Sequence, residues 1–250
     1  MENIKGQKNQ ILNTTDFKLI NRSHLEDLGY AQIISTISHE LRTPVSILKS
    51  NIQMFKDFNF NVDQDLKDES ISMCEESVEN IICFLNDIQL LNKAIQSEII
   101  PTYSTFNARE IIDQEYLEMA RLNLEYSRIL IQWDLADTVI ISDLVLLRRI
   151  LTNLLSNALK FSREKVLLFI SANHQQLSII VQDRGVGIPE EELEMVFKPF
   201  YRATNAQRKP GIGLGLAIVS TLTQSLCGNL YISSTIDQGT TMKIVLPYET

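Results

Sequence analysis

Residues 30–95 constrain the fold of this 250-residue chain most, because they contain one proline, Pro44, and no glycine. Apolar residues recur there every three or four positions, which is the period of one face of an α-helix. A break at FNFNVD divides the region into two helices. The predicted apolar seams are Ile34, Ile37, Leu41, Leu48, Ile52 and Phe55 in the first helix, and Ile71, Cys74, Val78, Ile81, Leu85, Ile88 and Ile95 in the second.

A hairpin of two helices cannot bury both of these seams by itself. Alternating spacings of three and four residues are typical of coiled-coil-like bundles. We therefore predict that the hairpin pairs with a second copy to form a four-helix bundle, which makes the protein a homodimer. Packing of the hairpin on the C-terminal part of its own chain remains the alternative.

After the connector QSEIIPTYST, short apolar runs rich in β-branched residues alternate with helical segments. The runs are SRILIQW, VLLFISA, LSIIVQD, NLYISST and TMKIVLP, and the helical segments cover residues 107–121, 143–161 and 213–226. The pattern of this second half predicts an α/β sandwich with a mixed, mostly antiparallel sheet and helices on one face. Together with the helical hairpin, it predicts that the whole chain is of the α+β class. The predicted division is an N-terminal tail or input connector (1–24), the helical hairpin (25–98) and the α/β domain (101–250).

The charge balance narrows the choice of partners and location. A net charge of −8 and a pI near 5.0 argue against nucleic acid or an anionic membrane as the main partner. No apolar run is long enough to span a membrane and the N-terminus lacks the core of a signal peptide, so we expect a cytoplasmic protein without a membrane span. The cysteines Cys74, Cys83 and Cys227 lie in apolar surroundings and are expected to be buried thiols.

The segment TNLLSNALKFS combines an apolar helical face with a polar one. Asn153, Asn157 and Lys160 follow one another at i, i+4 and i+7 and so share a side of the helix. Amide oxygens are suitable ligands for Mg²⁺, which is often held by few protein groups together with phosphate oxygens, and a lysine neutralises phosphate charge. A merely solvated polar face is the alternative for this motif alone.

The segment VQDRGVGIP places Asp183 at the end of an apolar strand, in front of Gly185 and Gly187. An ionised carboxylate there can accept a hydrogen bond from an exocyclic amine such as that of adenine, and the glycines let a planar ring approach the backbone. Without further context, the same residues also suit a hairpin turn.

The segment KPGIGLGLAIVSTL places Gly211, Gly213 and Gly215 at the start of an apolar helix, where free N–H groups favour phosphate. A dinucleotide-binding βαβ unit is not expected, because a polar loop and not a strand precedes the glycines. The basic residues of that loop, Arg202, Arg208 and Lys209, indicate either a mobile lid over a polyphosphate or a solvated loop.

The segment HELRTP lies in the first helix. At about 100° per residue, His39 is about 200° from both Ile37 and Leu41 and is therefore expected to be exposed. Pro44 cannot donate to the carbonyl of Glu40, so we expect a bend beside the histidine. A zinc-peptidase HExxH motif is excluded, because the fifth position is Thr43.

These motifs resemble, in order, those of sensor histidine kinases. HELRTP resembles the phospho-acceptor box, NLLSNALKFS the N box, DRGVGIP the first glycine box, FKPF the F box and GIGLGL the second glycine box. The resemblance covers residues from about 30 to 247 and implies a HisKA-type dimerisation and phosphotransfer hairpin followed by a GHKL-type ATP-binding domain.

The resemblance also implies residue roles. His39 would attack the ATP γ-phosphate, Glu40 would assist it, and Thr43 would position water for dephosphorylation of a partner. Asn157 would be the main Mg²⁺ ligand with help from Asn153. On the phosphate side, the resemblance implies contacts from Lys160 and Arg202. At the adenine it implies Asp183, Gly185 and Gly187, with Thr240 acting through water. At the hinge of the lid it implies Gly211, Gly213 and Gly215.

The implied function is an ATP-dependent protein-histidine kinase that passes phosphate from His39 to an aspartate of a response regulator receiver domain. One alternative is a protein that acts mainly as phosphatase of that regulator through Thr43, and another is a non-catalytic dimeric scaffold with a vestigial nucleotide site. Residues 1–24 are too few for a sensory domain, so either a separate sensor supplies the signal or the chain is the core of a larger kinase.

Overall fold

The computed structural model describes residues 17–20, 30–57, 63–96, 98–107, 109–111, 126–134, 139–172, 175–207, 209 and 211–247. The chain divides into two compact units. One unit is Leu25–Ile99, and the other combines Met1–His24 with Ile100–Thr250. None of the described helices is both long enough and apolar enough to cross a membrane.

The first unit is a helical hairpin of α1 (Tyr30–Asp57) and α2 (Gln64–Ile95), which agrees with the predicted helices. Helix α1 continues through Pro44, so a bend there stays a prediction. The buried residues of α2 recur every seven positions and are Ser70, Ser77, Phe84 and Leu91.

Within the predicted seam of α2, Cys74, Ile81 and Ile88 are half-buried, whereas Ile71, Val78 and Leu85 each lie one position beyond a buried residue. Ile71, Val78 and Leu85 are 49%, 43% and 44% exposed, and Ile52 of α1 is 51% exposed. The hairpin therefore leaves an apolar surface of its own without cover from its two helices.

The described strands of the second unit are β1 (Lys18–Ile20), β2 (Ser104–Asn107), β3 (Ile129–Asp134), β4 (Val139–Ser142), β5 (Val166–Ala172), β6 (Gln176–Gln182), β7 (Asn229–Thr235) and β8 (Gly239–Pro247). They form a six-stranded sheet in the order β1-β7-β8-β6-β5-β3 and a two-stranded sheet of β2 and β4. All of these strand pairs are antiparallel except β3 with β5. This architecture confirms the predicted α+β class with a mixed, mostly antiparallel sheet.

Helices α3 (Leu144–Phe161) and α4 (Gly215–Ser225) pack against each other and against the sheet. The sheet presents fully buried residues to the core, among them Ile170, Ile179 and Ile244. The predicted helix over residues 107–121 begins later, because Ser104–Asn107 forms β2, and residues 112–120 lie outside the described part of the chain.

Strand β1 lies in the segment predicted to be a tail. Leu19 is paired with Tyr231 of β7, and Lys18 Nζ lies 2.7 Å from Glu194 Oε1. Three residues are too few to show the alternation of a strand in the sequence, so only the tertiary pairing reveals β1.

Asp143 fixes the start of α3. Its Oδ1 accepts hydrogen bonds from the N–H groups of Val145 and Leu146, both at 3.0 Å, and its Oδ2 accepts one from the N–H of Thr102 at 2.7 Å. The Asp143 side chain thus caps α3 and also attaches the segment around Thr102, just before Ser104, to the start of this helix.

The end of α4 is a Schellman motif with a cysteine at the left-handed position. The N–H of Gly228 donates to Thr223 O, the N–H of Cys227 donates to Gln224 O, and Cys227 has φ 55°. Cys227 is exposed, which corrects the expectation of a buried thiol, because its position lies just past the helix. Cys74 and Cys83 are half-buried.

Replacing Cys227 by glycine should stabilise the second unit by about 0.5–1 kcal/mol, because glycine adopts positive φ without the steric cost that a Cβ carries. Urea unfolding followed through the fluorescence of Trp133, the single tryptophan, measures the change. Cys227→Ala is the matched control: it also removes the thiol but keeps the Cβ, and we expect almost no change. Equal stabilisation by both variants would contradict the conformational explanation.

Candidate active site

Two of the three polar residues predicted from α3, Asn153 and Asn157, contact the first turn of α4. A Cβ added at Gly215 would lie 2.9 Å from Asn153 Oδ1 and 3.4 Å from Asn157 Nδ2. A side chain at position 215 would therefore displace the Asn153 amide, so the glycine keeps both amides in close contact with α4. As a result, both amide side chains lie beside the N-terminal N–H groups of α4, where the helix dipole favours anions.

Asn153 is held in a defined orientation. Its Nδ2 donates to the carbonyl of Arg149 at 2.8 Å, so its Oδ1 faces α4. Asn153 and Asn157 are both half-buried. The pair offers hard, neutral oxygen ligands in a place that a cation and phosphate oxygens can share.

Lys160 extends the same face towards the glycine-rich segment. A Cβ at Gly211, which has φ 136°, would overlap with Lys160 Nζ. Burial lowers the pKa of Lys160 to about 8, and the charges of Arg202 and Lys209 contribute to the decrease. Three cations therefore converge here, and a polyphosphate would relieve their mutual repulsion.

Asp183 lies where β6 ends. Its Oδ1 accepts the N–H of Gly185 at 2.7 Å, and its own N–H donates to Thr240 O at 2.9 Å. Burial raises the pKa of Asp183 to about 6, although hydrogen bonds from the backbone of Gly185 and Thr240 oppose the increase. This half-buried carboxylate can accept a further hydrogen bond from a ligand amine.

The loop after Asp183 packs closely on its surroundings. A Cβ at Gly185 would overlap with Phe161 O, and one at Gly187, where φ is 65°, would overlap with Thr235 O. The loop thus lies against the end of α3, which carries Lys160, and against β7.

Thr240 belongs to a small hydroxyl network next to Asp183. Ser234 Oγ donates to Gly239 O at 2.9 Å and lies 2.8 Å from Thr240 Oγ1. Because the single Ser234 hydrogen is already used, the Thr240 hydroxyl donates to Ser234 and keeps its lone pairs as acceptors. Sequence reasoning missed Ser234, since a serine within a strand carries no signal of its own.

The predicted lid begins at a strained residue. Phe200 has φ 65° and its N–H donates to Gly213 O at 2.9 Å. Arg202 Nη2 donates to the carbonyls of Ala206, Gln207 and Lys209. Arg202 therefore organises the backbone of the loop, a role that the sequence did not predict, whereas Arg208 lies outside the described residues.

His39 is 74% exposed on α1, as its spacing predicted, and its Nδ1 lies 3.3 Å from Glu40 Oε1. Thr43, one turn later, is also exposed. These three residues belong to the helical unit, and the nucleotide-site candidates above belong to the other unit.

Clusters of three or more histidine, cysteine, aspartate or glutamate side chains that could hold a metal are absent from the described ranges. A metal at the candidate site would therefore depend on the amide oxygens of Asn153 and Asn157 and on oxygens of a ligand.

Two family models match the chain. The His Kinase A (phospho-acceptor) domain matches residues 30–96, and the Histidine kinase-, DNA gyrase B-, and HSP90-like ATPase matches residues 142–250. The first match contains His39, and the second contains every nucleotide-site candidate named above.

Curated relatives cover both units. The autoinducer 2 sensor kinase/phosphatase LuxQ of Vibrio cholerae is 32% identical over 230 residues, which are 88% of this chain and 26% of LuxQ. The sensor histidine kinase WalK of Bacillus subtilis is 28% identical over 239 residues, which are 87% of this chain and 36% of WalK. The chain thus spans about a quarter to a third of the length of these relatives.

Solved structures show the same fold. The histidine kinase AdeS of Acinetobacter baumannii has a TM-score of 0.62 at 23% identity and covers 85% of this chain and 98% of its own. ShkA, described as full-length in complex with AMPPNP, has a TM-score of 0.62 at 25% identity and covers 88% of this chain and 46% of its own. Because the two family models together match more than half of its residues and the curated relatives span both units, the chain belongs to the sensor histidine kinase family.

Proposed function

We propose that this chain is the kinase core of a two-component system, in which ATP phosphorylates His39 and the phosphoryl group then passes to an aspartate of a response regulator receiver domain. The observation that carries the proposal is the contact of Asn153 and Asn157 with the start of α4 at Gly215, together with the contact of Lys160 with Gly211 just before that helix. The bound AMPPNP of the similar protein ShkA, an ATP analogue, supports this choice of nucleotide. We expect the reaction to take place in the cytoplasm, where ATP is available.

The two ends of the site suit the two ends of ATP. In our proposal Asp183 accepts a hydrogen bond from the adenine amine, and the adenine ring lies over Gly185 and Gly187. The hydroxyl oxygen of Thr240 contacts the adenine through a water molecule. Lys160 neutralises the phosphates, which the N-terminal turn of α4 also attracts.

The phosphate end is completed by the glycine segment and the loop beside it. Arg202 adds charge there while it orders its own loop. Gly211, Gly213 and Gly215 allow the backbone to approach the phosphates and to hinge.

The amide pair fits Mg²⁺, because its oxygens are hard donors beside a site for anions. Asn157 would be the main ligand and Asn153 the second. When bound, the ion neutralises charge on the phosphate oxygens. Catalysis by the protein is then mostly positioning of the nucleotide, as in other phosphoryl transfers.

His39 supplies the nucleophile. With Nδ1–H directed to Glu40, the lone pair of Nε2 is free to attack, and the neutral imidazole is the reactive form. An N–P bond forms as the bond between the γ-phosphorus and its bridging oxygen breaks, ADP leaves, and Glu40 stabilises the positive charge that develops on the ring. In the second step, the receiver aspartate displaces His39 from phosphorus.

The exposed apolar stripe of the hairpin supports a homodimer. Ile71, Val78 and Leu85 lie on one side of α2 at a heptad spacing, and their burial requires further helices. We propose that residues 25–98 of two chains form the four-helix bundle and that residues 101–250 form the catalytic domain.

Phosphatase activity towards the regulator is a second candidate function. Thr43 is exposed one turn beyond His39, and the relative LuxQ is named a kinase/phosphatase. A hydroxyl at this position can orient a water molecule for attack on a phosphorylated aspartate. Faster dephosphorylation of a phosphorylated regulator by the parent than by Thr43→Val would support this activity.

Incubation with γ-labelled ATP and Mg²⁺ should produce an acid-labile, alkali-stable label on the parent chain and none on His39→Gln, because the amide is not nucleophilic. His24→Gln and His174→Gln are matched controls that change the other two histidines and should keep the label. Label that persists in His39→Gln would exclude the assigned phospho-acceptor.

Adenosine affinity should fall about tenfold between pH 7 and about pH 5, because Asp183 has a pKa of about 6 and becomes protonated below that pH, which removes the negative charge that strengthens its hydrogen bond from the adenine amine. Adenosine has no phosphates that titrate in this range, so the change reports on the protein. NMR titration at each pH measures the dissociation constant.

Asp183→Asn is the control for that measurement, because the amide keeps an acceptor oxygen but does not titrate. Its adenosine affinity should be nearly constant over the same pH range. A parallel decrease in the parent and the variant would show that another group is responsible.

Adding charge to the apolar stripe should separate the dimer. We expect Val78→Glu combined with Leu85→Glu to sediment as a monomer at micromolar concentration, since two buried charges per chain would oppose association. Asn80→Glu adds the same charge at an exposed polar position of α2 and should remain dimeric. A monomeric parent would contradict the bundle.

A further inference from the structure

We propose that Glu192 is a positioning residue, which sets the loop of residues 201–207 against the phosphate end of the nucleotide site. This inference rests on the proposed ATP site. Glu192 binds no nucleotide itself and acts through the backbone and side chains that it holds.

Glu192 differs from its acidic neighbours in burial. It is 8% exposed, whereas Glu190, Glu191 and Glu194 are exposed. A buried carboxylate needs hydrogen-bond donors to compensate for lost hydration. The described contacts supply an N–H and an O–H group, and no lysine or arginine is among them.

These two groups come from both ends of one short segment. Glu192 Oε2 accepts the N–H of Thr204 at 3.0 Å, and the hydroxyl of Tyr201 lies near the same carboxylate. The pKa of Tyr201 is raised, first by burial and then by the nearby Glu192 charge. Because a carboxylate oxygen accepts hydrogen bonds, Glu192 holds the backbone at Thr204 and restricts the position of the chain near Tyr201.

Arg202 lies between Tyr201 and Thr204. Its Nη2 donates hydrogen bonds to the carbonyls of Ala206, Gln207 and Lys209, so the position of the loop backbone depends on this guanidinium. Arg202 is also close enough to Lys160 for its charge to lower the lysine pKa. Glu192 therefore determines where the cationic group of the loop lies relative to Lys160.

A second contact attaches the same turn to the other side of the site. Asn205, next to Thr204, donates from Nδ2 to the carbonyls of Gly187 at 3.0 Å and Val186 at 3.3 Å. This contact leaves Asp183 and its loop supported when Glu192 is altered. Loss of Glu192 should thus affect phosphate binding more than adenine binding.

The test compares ATP with adenosine in the full chain, by calorimetry with Mg²⁺ present. For Glu192→Ala we expect the dissociation constant of ATP to rise about tenfold or more and that of adenosine to change less than about twofold. Glu192→Gln keeps one acceptor oxygen without the charge and should show a smaller increase for ATP. Glu190→Ala removes an exposed carboxylate from the same turn and should change neither constant.

Tyr201→Phe provides an independent variant, because it removes one donor and leaves the carboxylate in place. It should weaken the binding of ATP but not that of adenosine, and by less than Glu192→Ala does. Circular dichroism establishes that each variant is folded, and if Glu192→Ala does not fold, Tyr201→Phe and Glu192→Gln decide the question.

An equal fold increase in the dissociation constants of ATP and adenosine would overturn the proposal, because a residue that only supports the fold would weaken the binding of both ligands alike. Unchanged ATP affinity in Glu192→Ala would overturn it as well. Failure of the parent chain to bind ATP is a different result: it would refute the proposed function, and this inference with it.

Discussion

The capped and buried helix α3 is the element on which the candidate site depends. Asp143 fixes its start through three hydrogen bonds, and Leu147, Leu151 and Leu155 bury one face almost completely. A helix anchored in this way cannot rotate about its axis without exposing leucines to water. The opposite face carries the two asparagines and the lysine, and its asparagines contact α4 at Gly215.

Burial acts on the two titratable groups of the site in opposite directions. It raises the pKa of Asp183 to about 6 and lowers that of Lys160 to about 8, so in both cases the charged form is disfavoured. Each group would regain favourable surroundings from the part of ATP assigned to it, an amine for the carboxylate and phosphates for the ammonium. The free site thus stores electrostatic strain that the proposed ligand relieves.

Long periodic segments were predictable from the sequence, and contacts that depend on tertiary structure were not. Both helices of the hairpin, α3, α4 and the strands β3 and β5 to β8 follow from apolar spacing over six or more residues. Strands β1, β2 and β4 have three or four residues and give no such signal. The buried stripe of α2 was missed because Ser70 and Ser77 resemble solvated positions. The helical spacing of Asn153 and Asn157 predicted that they share one face of α3. Glu192 was not predictable in this way, because it is one of three successive glutamates and only its burial distinguishes it.

Strand β1 makes the helical hairpin an insertion within the other unit, since residues on both sides of it in the chain belong to the same sheet. Excision of the α/β unit as residues 100–250 would therefore leave the outer edge of β7 without its partner. Unpaired N–H and C=O groups along a strand edge are a template for pairing between molecules. A fragment that keeps residues 17–20, joined by a short linker in place of the hairpin, would retain this protection against self-association.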